Sequence, residues 1–483
     1  MNTSWITTIM NALKLLCLLA LSPTVLLAQT NAEAPFESAR EAVEHMRVGW
    51  NLGNTLDSNS GDTLNMWIEA NKSRTVSSYE TAWGQKTTKA SLFKLFRQAG
   101  FNAIRVPVTW YPHMEATFAS VRGYDNNGKW SYTPWLPSAD GIGTQIQKAW
   151  MQRVKQIVDY VLAQGMYCII NVHHDTGAAN TAWLLADEAA YAAQHERFEA
   201  IWTQIAEQFK DYDEHLLFEG YNEMLDPDHS WCFASFASEG GYNAAKAKSA
   251  YNAINSYAQS FVNAVRATGG NNAQRNLIVC TYGACDGNGN WSSHLQDPLK
   301  QMKLPDDNAD GHLIFEVHCY PDITNLAAAK TSLNTTIGNL KRYLVAKGAP
   351  VIFGEWGISG GGDNHENHLA FVKYFAQRCK ANGMGLFHWM GLSDGSHRTV
   401  PEFNEPDMVS AMMEGFYGEG GYVDGIKAVY ESDDGRLQDS GHHTSLTTNN
   451  KPLENCWFDL AGRPIDKPAR GIYVKQGRKV ARP

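Results

Sequence analysis

The sequence predicts an α/β protein, a (β/α)8 TIM barrel with a small, β-rich C-terminal appendage. Short apolar runs alternate with helical patterns from Arg47 to Trp389, and eight of these runs have the composition of strands. The runs are continuous rather than alternating in polarity, as in 216–218, which is typical of parallel strands buried on both faces. The chain exceeds the roughly 250 residues of a typical barrel, and the surplus lies in loops that follow strands.

The predicted strands and helices follow one another in the order that a barrel requires. An open, doubly wound sheet is the alternative, but no GxGxxG motif follows the first strand, so its dinucleotide-binding version has no support. Helical periodicity marks Lys89–Gln98, Trp150–Ala163, Phe198–Phe209, Tyr251–Ala267 and Leu369–Cys379. The predicted strands are Arg47–Leu52, Asn102–Pro107, Met166–Val172, His215–Gly220, Asn276–Thr281, His312–Val317, Val351–Gly354 and Gly385–Trp389.

Residues 1–28 are predicted to be a secretory signal peptide. Lys14 is the only charged residue before position 33, and an apolar run from Leu15 to Ala28 follows it. A positive start, an apolar stretch and a small residue at the cleavage point are typical of such signals. A retained membrane anchor is the alternative. We therefore expect a secreted or cell-surface protein whose barrel domain spans residues 29–416.

Residues 417–483 differ in composition from the barrel and are predicted to form an appendage or sorting tail. Five glycines fall within Gly415–Gly425, and Asp459–Pro483 holds seven Lys or Arg against two Asp. The segments Asp459–Pro464 and Gly471–Val474 resemble the C-terminal tails of secreted proteins from Gram-negative anaerobes. That resemblance implies export and attachment to the cell surface, and a basic tail without an address function is the alternative.

The overall composition excludes several classes of protein. Of 483 residues, 43% are hydrophobic and 19% are charged, which excludes a disordered chain. The net charge of −9 argues against a nucleic-acid partner, which usually selects a basic surface. Aromatic residues make up 11% of the chain, and their flat faces suit a core but also suit stacking on sugar rings.

Chemically active side chains gather at the carboxyl ends of the predicted strands. In a parallel barrel these ends open on one face, so residues far apart in the sequence converge there. A single Glu at a strand end is usually polar surface, but two Glu among Arg, Asn, His and Tyr donors indicate a site. The residues are Arg105, His173, His174, Asp175, Asn222, Glu223, His318, Tyr320, Glu355 and Trp389.

The carboxylate pair Glu223 and Glu355 suggests glycoside hydrolysis. In that reaction one carboxyl group protonates the leaving oxygen and the other attacks the sugar or activates water. The two groups need different pKa values and therefore different environments. Glu223 follows Asn222 in a segment rich in Tyr and Met, where partial desolvation would keep it protonated as an acid. Arg105 and Tyr320 would keep Glu355 ionised as a nucleophile.

Strand alternation also bears on two further Glu and on a metal site. Glu219 and Glu316 are expected to point to the other side of their strands and to make structural salt bridges. The same alternation argues that His173 and His174 cannot easily share one metal ion. A metal-dependent hydrolase that uses the His173 and His318 face is nevertheless an alternative function, and a non-catalytic glycan-binding protein is another.

The sequence resembles glycoside hydrolase family five, the large cellulase family of retaining TIM-barrel enzymes, from about Ala42 to Met390. The segment Glu80–Gly84 is more similar to the endoglucanase and xyloglucanase subfamilies than to the mannanases. Seven motifs carry the resemblance in the family order: Gly49–Asn54, Ile104–Pro107, Asn171–His174, Phe218–Glu223, Val317–Tyr320, Phe353–Gly357 and Phe387–Trp389.

The resemblance implies a role for each residue at the strand ends. Glu223 would be the general acid/base and Glu355 the nucleophile. Asn222 would bind the sugar 2-hydroxyl, and Trp389 would form a stacking floor under the sugar being cleaved. Arg105, His318 and Tyr320 would orient Glu355, and His173 and His174 would line the cleft. Asn51, in the first motif, and His113, in the loop after Trp110, complete the expected substrate-binding residues, and a simple turn residue is the alternative for His113.

The expected function is a secreted, retaining, endo-acting β-glycosidase that hydrolyses a β-1,4-linked plant polysaccharide. The candidates are cellulose, mixed-linkage glucan and xyloglucan, and a β-mannanase on the same scaffold is the alternative. We expect a monomer that needs no cofactor and no metal and whose partner is the polysaccharide.

Overall fold

The computed structural model confirms a (β/α)8 barrel, in which eight parallel strands close in sequential order. It describes residues 36–60, 68, 75–114, 143–178, 182–230, 242–289, 292–362 and 364–418, and the backbone of four short strands near the C terminus. The predicted signal peptide, residues 1–28, lies outside the described residues. The strands are β1 (Val48–Asn51), β2 (Ala103–Val106), β3 (Tyr167–Asn171), β4 (Leu216–Glu219), β5 (Leu277–Cys280), β6 (Leu313–Cys319), β7 (Val351–Trp356) and β8 (Gly385–His388).

The helices form at all five predicted positions, and two of them begin well before the predicted start. The helices over 188–208 and 244–267 are longer because Asp187 and Asn243 cap their first turns by accepting backbone N–H bonds. The described helices are α1 (Ala39–Met46), α2 (Val76–Glu80), α3 (Ala90–Ala99), α4 (Lys148–Leu162), α5 (Glu188–Gln208), α6 (Ala244–Ala267), α7 (Asp297–Gln301), α8 (Leu326–Tyr343), α9 (His365–Ala381) and α10 (Pro406–Tyr417).

The barrel interior contains an apolar layer with a polar layer above it. Gly49 in β1 admits the Phe387 ring to the apolar layer, since a Cβ there would lie 2.2 Å from Phe387 Cδ1. Strand side chains alternate, so the residue two positions later points inward again, one layer nearer the carboxyl ends. The apolar layer includes Ala103, Ile169, Leu217, Ile278, Ile314, Ile352 and Phe387, and the buried polar residues above it include Arg105, Asn171, Glu219 and Glu316.

Strand β7 carries an irregularity beside the predicted site. Val317 pairs with Phe353, but the next residue, His318, pairs with Glu355, so β7 accommodates one extra residue, Gly354. Bulges of this kind redirect side chains and are common next to active sites. The bulge brings Glu355 level with His318 at the carboxyl end of the barrel.

The tail contains the β structure that was predicted for it. Its backbone forms a four-stranded antiparallel sheet in the order β10-β9-β11-β12, with β9 (Trp457–Phe458), β10 (Pro464–Ile465), β11 (Gly471–Lys475) and β12 (Arg478–Arg482). Among the described helices, we find none long and apolar enough to cross a membrane.

We predict that the tail is dispensable for catalysis, because it supplies none of the strand-end residues. A chain that ends at Gly418, after α10, should fold and keep its turnover on a soluble polysaccharide. The measurement compares kcat and the thermal unfolding temperature with those of the full chain. A folded but inactive truncated protein would place the boundary of the catalytic domain beyond residue 418.

Candidate active site

Glu223 and Glu355 come from different strand ends and meet at His318. His318 Nδ1 lies 2.7 Å from Glu223 Oε1 and 3.5 Å from Glu355 Oε2. One carboxylate oxygen of each Glu and a ring nitrogen of His318 lie within 4.8 Å of one another. The Glu223 side chain is 24% exposed and the Glu355 side chain only 6% exposed. The two carboxyl groups therefore face each other at different depths.

Glu355 is held by donors on both carboxylate oxygens. Arg105 Nη1 donates to Oε1 at 2.9 Å, and Tyr320 Oη donates to Oε2 at 2.7 Å. Burial raises the pKa of Glu355, whereas His318, Arg105 and the Tyr320 hydrogen bond lower it and Glu223 raises it further. Burial prevails, so the pKa of Glu355 lies above its usual value, although a cation and two hydrogen-bond donors reduce the cost of burying the carboxylate.

Arg105 organises the polar layer of the barrel. Its guanidinium binds Glu219 through two parallel hydrogen bonds of 2.6 and 2.7 Å. It also donates to Asn51 Oδ1, Asn222 Oδ1 and Glu355 Oε1 at 2.8–2.9 Å. The planar five-donor fork of arginine is thus fully used, which fixes four neighbouring side chains at once.

Glu219 makes the predicted salt bridge, but the predicted side of the strand is wrong. Glu219 is fully buried inside the barrel, directly below the site, and also accepts a 2.8 Å hydrogen bond from Asn171 Nδ2. The expectation misjudged the period of a strand, because residues two or four positions apart share a face. Glu219 therefore lies on the inward side, four residues before Glu223. Glu316, two residues before His318, also points into the barrel rather than to the other side of its strand.

His318 is surrounded by carboxyl groups, which favour the positively charged form of its ring. Burial alone would lower its pKa, but Glu355, Glu223 and Glu316 raise the pKa to about 10. An imidazolium has a donor on each ring nitrogen. In that form Nδ1–H is directed at Glu223 and Glu355, while Nε2 lies 3.4 Å from Glu316 Oε1.

His173 and Trp389 form one wall of the site. Their rings are parallel within 7° and their centroids lie 5.7 Å apart. His173 Nε2 lies 3.9 Å from Glu355 Oε1, and burial lowers the pKa of His173 well below its usual value, so the ring is neutral. Gly53 allows the Trp389 indole to approach, because a Cβ there would lie 3.1 Å from Trp389 Cη2.

Two residues of the expected substrate-binding set do not line the cleft. His113 is buried, with its ring stacked on Trp150 at a centroid distance of 3.4 Å and edge-on to Tyr79. It is a core residue because the short helical turn after Trp110 directs it inward. Asn51 is fully buried and donates to the carbonyls of Gly354 and Phe387, so it supports Arg105 from below.

The argument that His173 and His174 cannot share an ion is also wrong. Ligand atoms of Asp57, His173 and His174 lie within 4.8 Å of one another, because both His lie beyond the end of β3. The donors fit a cation poorly, however. The Asp57 carboxylate already accepts the Asn54 and Thr55 N–H groups, and it lies 3.9 Å from His174 Nε2.

Two residues support the site in roles that were not predicted. Asn171 contacts both Glu219 and the His173 ring, and it lies in a motif already noted. Asp175 accepts hydrogen bonds of 2.8 Å from the backbone N–H groups of Trp110 and Tyr111 and from Trp183 Nε1. Asp175 thereby ties the loops after β2 and β3 together. The sequence feature that marks both Asn171 and Asp175 is their position at or just after the end of β3.

We predict that Gly354→Ala strongly destabilises the protein. A Cβ at this position would lie 1.5 Å from Glu316 Oε1, so the buried carboxyl group or the bulge must move. Overpacking typically costs about 1–3 kcal/mol, and displacing a buried charged group adds to that cost. Thermal unfolding should show a clear fall in Tm together with reduced kcat.

Gly338→Ala is the matched control for this prediction. Gly338 lies within α8, and a Cβ there meets nothing within 4 Å. Replacing a helix-interior glycine with alanine should raise stability by roughly 0.5–1 kcal/mol. Equal Tm values for Gly354→Ala and the parent protein would show that Glu316 does not occupy the space above the bulge.

Comparison with known proteins identifies solved structures that are similar to this chain. A solved structure of a GH5-4 broad specificity endoglucanase from an uncultured bacterium is 47% identical, with a TM-score of 0.70, over 80% of this chain and 98% of that one. PbGH5A from Prevotella bryantii B14, solved with a xyloglucan tetradecasaccharide, is 38% identical with a TM-score of 0.64, over 79% and 99% of the two chains.

The chain is also similar to a curated protein and matches the model of a protein family. The cellulase/esterase CelE of Acetivibrio thermocellus is 30% identical over 400 residues, which is 78% of this chain but only 40% of that protein. The family model for Cellulase (glycosyl hydrolase family 5) matches residues 67–393. The sequence-based identification is therefore confirmed: the chain belongs to the cellulase family, glycosyl hydrolase family 5.

Proposed function

We propose that the protein is a retaining, endo-acting β-glycosidase that hydrolyses β-1,4-linked plant glucans. The observation that carries this proposal is the Glu223–Glu355 pair, whose nearest oxygens lie within 4.8 Å. Retaining glycosidases have carboxyl groups about 5–5.5 Å apart, whereas inverting enzymes need about 6.5–9.5 Å to admit a water molecule. The short separation supports direct attack on the sugar by one carboxylate.

Glu355 is the better candidate for the nucleophile. It is nearly buried, and Arg105 and Tyr320 hold both of its oxygens, so the carboxylate is oriented before substrate binds. In the first step Glu355 attacks the anomeric carbon, and the bond to the leaving oxygen breaks as that oxygen takes a proton. The product is a covalent glycosyl-enzyme.

Glu223 is the better candidate for the acid/base. Its carboxyl group is the more exposed of the pair and accepts a hydrogen bond from His318 Nδ1. Glu223 gives its proton to the leaving oxygen in the first step. In the second step it takes a proton from the water that attacks the glycosyl-enzyme, which restores both carboxyl groups.

Asn222 and Trp389 are suited to holding the sugar between these two groups. Arg105 occupies the amide oxygen of Asn222, which leaves the amide nitrogen as the donor for a sugar hydroxyl. Trp389 is partly exposed and lies parallel to His173, so it offers an apolar face for a pyranose ring. Trp83, whose ring centroid lies 5.6 Å from that of His174, extends the aromatic surface beyond the reaction centre.

For the substrate, we favour cellulose, mixed-linkage glucan and xyloglucan over β-mannan. The two similar solved structures support this choice, since one is named as a broad specificity endoglucanase and the other holds a xyloglucan oligosaccharide. A panel of these glucans and glucomannan, read by reducing ends and by viscosity, tests both the substrate and the endo mode. Preference for glucomannan would favour the mannanase, and loss of activity with EDTA would favour metal-dependent hydrolysis.

Stereochemistry tests the proposed mechanism. Proton NMR of the first minutes of hydrolysis should show the β-anomer of the new reducing end, followed by slow mutarotation. Initial appearance of the α-anomer would mean inversion and would overturn the double-displacement mechanism.

We also propose export through the N-terminal signal and surface attachment through the basic tail. The support is the sequence pattern of the two ends. Fractionation of the producing cells should find the protein outside the cytoplasm, and removal of residues after Gly418 should release it from the surface. A cytoplasmic, full-length protein would contradict this.

A further inference from the structure

Glu316 is a buried carboxyl group to which the proposed mechanism gives no task. It points into the barrel from β6, is fully buried, and lies one layer below the catalytic pair. Among the described residues neither of its oxygens has a hydrogen-bond partner of good geometry. Its Oε1 lies 3.4 Å from both Arg105 Nε and His318 Nε2. A carboxyl group so placed is costly unless nearby cations offset its desolvation.

The fold makes room for this carboxyl group. Gly354, the extra residue of the β7 bulge, lies directly against it, and any Cβ there would overlap Glu316 Oε1. The bulge that brings Glu355 level with His318 thus also creates the space for Glu316. The two carboxyl groups are coupled through one backbone feature.

Arg105 does not require Glu316 as a counter-ion. Its guanidinium is already paired with Glu219 through two hydrogen bonds and with Glu355 through a third. His318, in contrast, has no other acidic neighbour on its Nε2 side among the described ion pairs, since Glu223 and Glu355 both approach Nδ1. The group that Glu316 serves is therefore His318.

We propose that Glu316 is a positioning residue that holds His318 in the imidazolium form, with its Nδ1–H directed at Glu223 and Glu355. It acts from the opposite edge of the imidazole ring and touches no substrate. This inference rests on the proposed function, because it assigns a purpose to the contact between His318 and the acid/base.

The charges around the two groups agree with this arrangement. Burial and Glu219 raise the pKa of Glu316 to about 7, while Arg105 and His318 lower it, so Glu316 is ionised mainly above neutral pH. Two other titratable groups interact with Glu316: Tyr221, which follows β4, and Cys280, at the end of β5. Two others interact with His318: His173, which follows β3, and Asp286, which follows β5.

The proposal predicts a shift in one limb of the pH profile. The competent enzyme carries a proton on Glu223 and a second proton on His318, and activity falls when either is lost. Removing the negative charge of Glu316 makes the second ring proton of His318 easier to lose, so the alkaline limb moves to lower pH. The acidic limb should stay in place, because Glu316 is already protonated there.

The test is the pH dependence of kcat/KM for Glu316→Gln on a soluble glucan. A charge at this distance typically shifts a pKa by about 1 unit or more, so the alkaline limb should move to lower pH by about 1 unit. Glu316→Asp keeps the charge and should bring the limb back toward the parent value. A purely structural role would lower kcat/KM equally at every pH, and that result would overturn the proposal.

Glu80→Gln is the matched control, since Glu80 is a buried carboxylate paired with Arg153 away from His318. It should cost stability without moving either limb. If Glu316→Gln does not fold, the ¹⁵N shifts of the parent protein's histidines decide the matter. His318 should have both ring nitrogens protonated at pH 8, and a neutral ring would refute the inference.

The test of the role of Glu316 can be distinguished from the test of the retaining mechanism. Inverted product from the parent enzyme would refute the retaining mechanism whatever Glu316→Gln does. Retained product together with an unshifted alkaline limb in Glu316→Gln would refute only the role of Glu316.

Discussion

Glu355→Ala is expected to abolish turnover on polysaccharide and on activated aryl glycosides alike. The carboxylate forms the covalent bond to the sugar, so its loss cannot be compensated by a better leaving group. The loss should exceed the roughly 10²–10⁴-fold that removal of a general acid or base produces. Arg105 Nη1 and Tyr320 Oη would also lose their shared acceptor.

The measurement is kcat/KM on a soluble glucan and on a 2,4-dinitrophenyl β-cellobioside. The thermal unfolding temperature serves as the check on folding, and Glu355→Gln, which keeps the shape, should be equally inactive. Rescue of Glu355→Ala by azide with retained product would mean that Glu355 is the acid/base instead.

Glu223→Ala should show the second-largest loss, and the loss should depend on the leaving group. On polysaccharide it should fall within the roughly 10²–10⁴-fold typical of general acid–base catalysis. The 2,4-dinitrophenolate group leaves without a proton, so the glycosyl-enzyme should form readily from the activated glycoside. It should then accumulate, because the base that activates water is missing too.

Azide should restore turnover of Glu223→Ala, since it attacks the intermediate without a base. The product should be the β-glycosyl azide, identified by NMR. Equal losses on the polysaccharide and on the activated glycoside, with no azide effect, would contradict the acid/base role.

The sequence predicted the strand-end cluster well, because a parallel barrel brings all carboxyl ends of its strands to one face. Arg105, Glu223, His318, Tyr320 and Glu355 are in direct contact in the structure. That juxtaposition follows from strand order alone, which short apolar runs reveal. The sequence motifs then identified the family.

Residues next to the strand ends were harder to predict. Alternation along a strand placed Glu219 on the wrong side and argued against a shared position for His173 and His174. The first error misjudged the two-residue period, which places Glu219 on the same face as a residue four positions later. The second arises because the chain leaves regular strand geometry after Asn171. His113 was expected in the cleft, but a single helical turn directs its ring into the core against Trp150.

The bulge at Gly354 could not be predicted from composition. Its signature is a one-residue mismatch between β6 and β7, which appears only when the two strands are paired. The interior position of Glu316 depends on that mismatch, since Gly354 lies where the carboxyl group needs space. The residue-by-residue pairing of β6 with β7 therefore makes room for the carboxyl group that lies beside His318, and locating the two strands in the sequence does not reveal this pairing.

The central claim is that Glu355 becomes covalently bonded to the sugar, and trapping that intermediate tests it most directly. The parent enzyme would be treated with a 2-deoxy-2-fluoro β-cellobioside bearing a dinitrophenyl leaving group, digested with trypsin and analysed by mass spectrometry. Glu355 lies in the tryptic peptide Gly348–Lys373, and Glu223 lies in Asp211–Lys246. We expect the adduct on Gly348–Lys373, with fragmentation placing it at Glu355. An adduct on Asp211–Lys246 would reverse the two roles, and inactivation without any adduct would contradict the covalent mechanism.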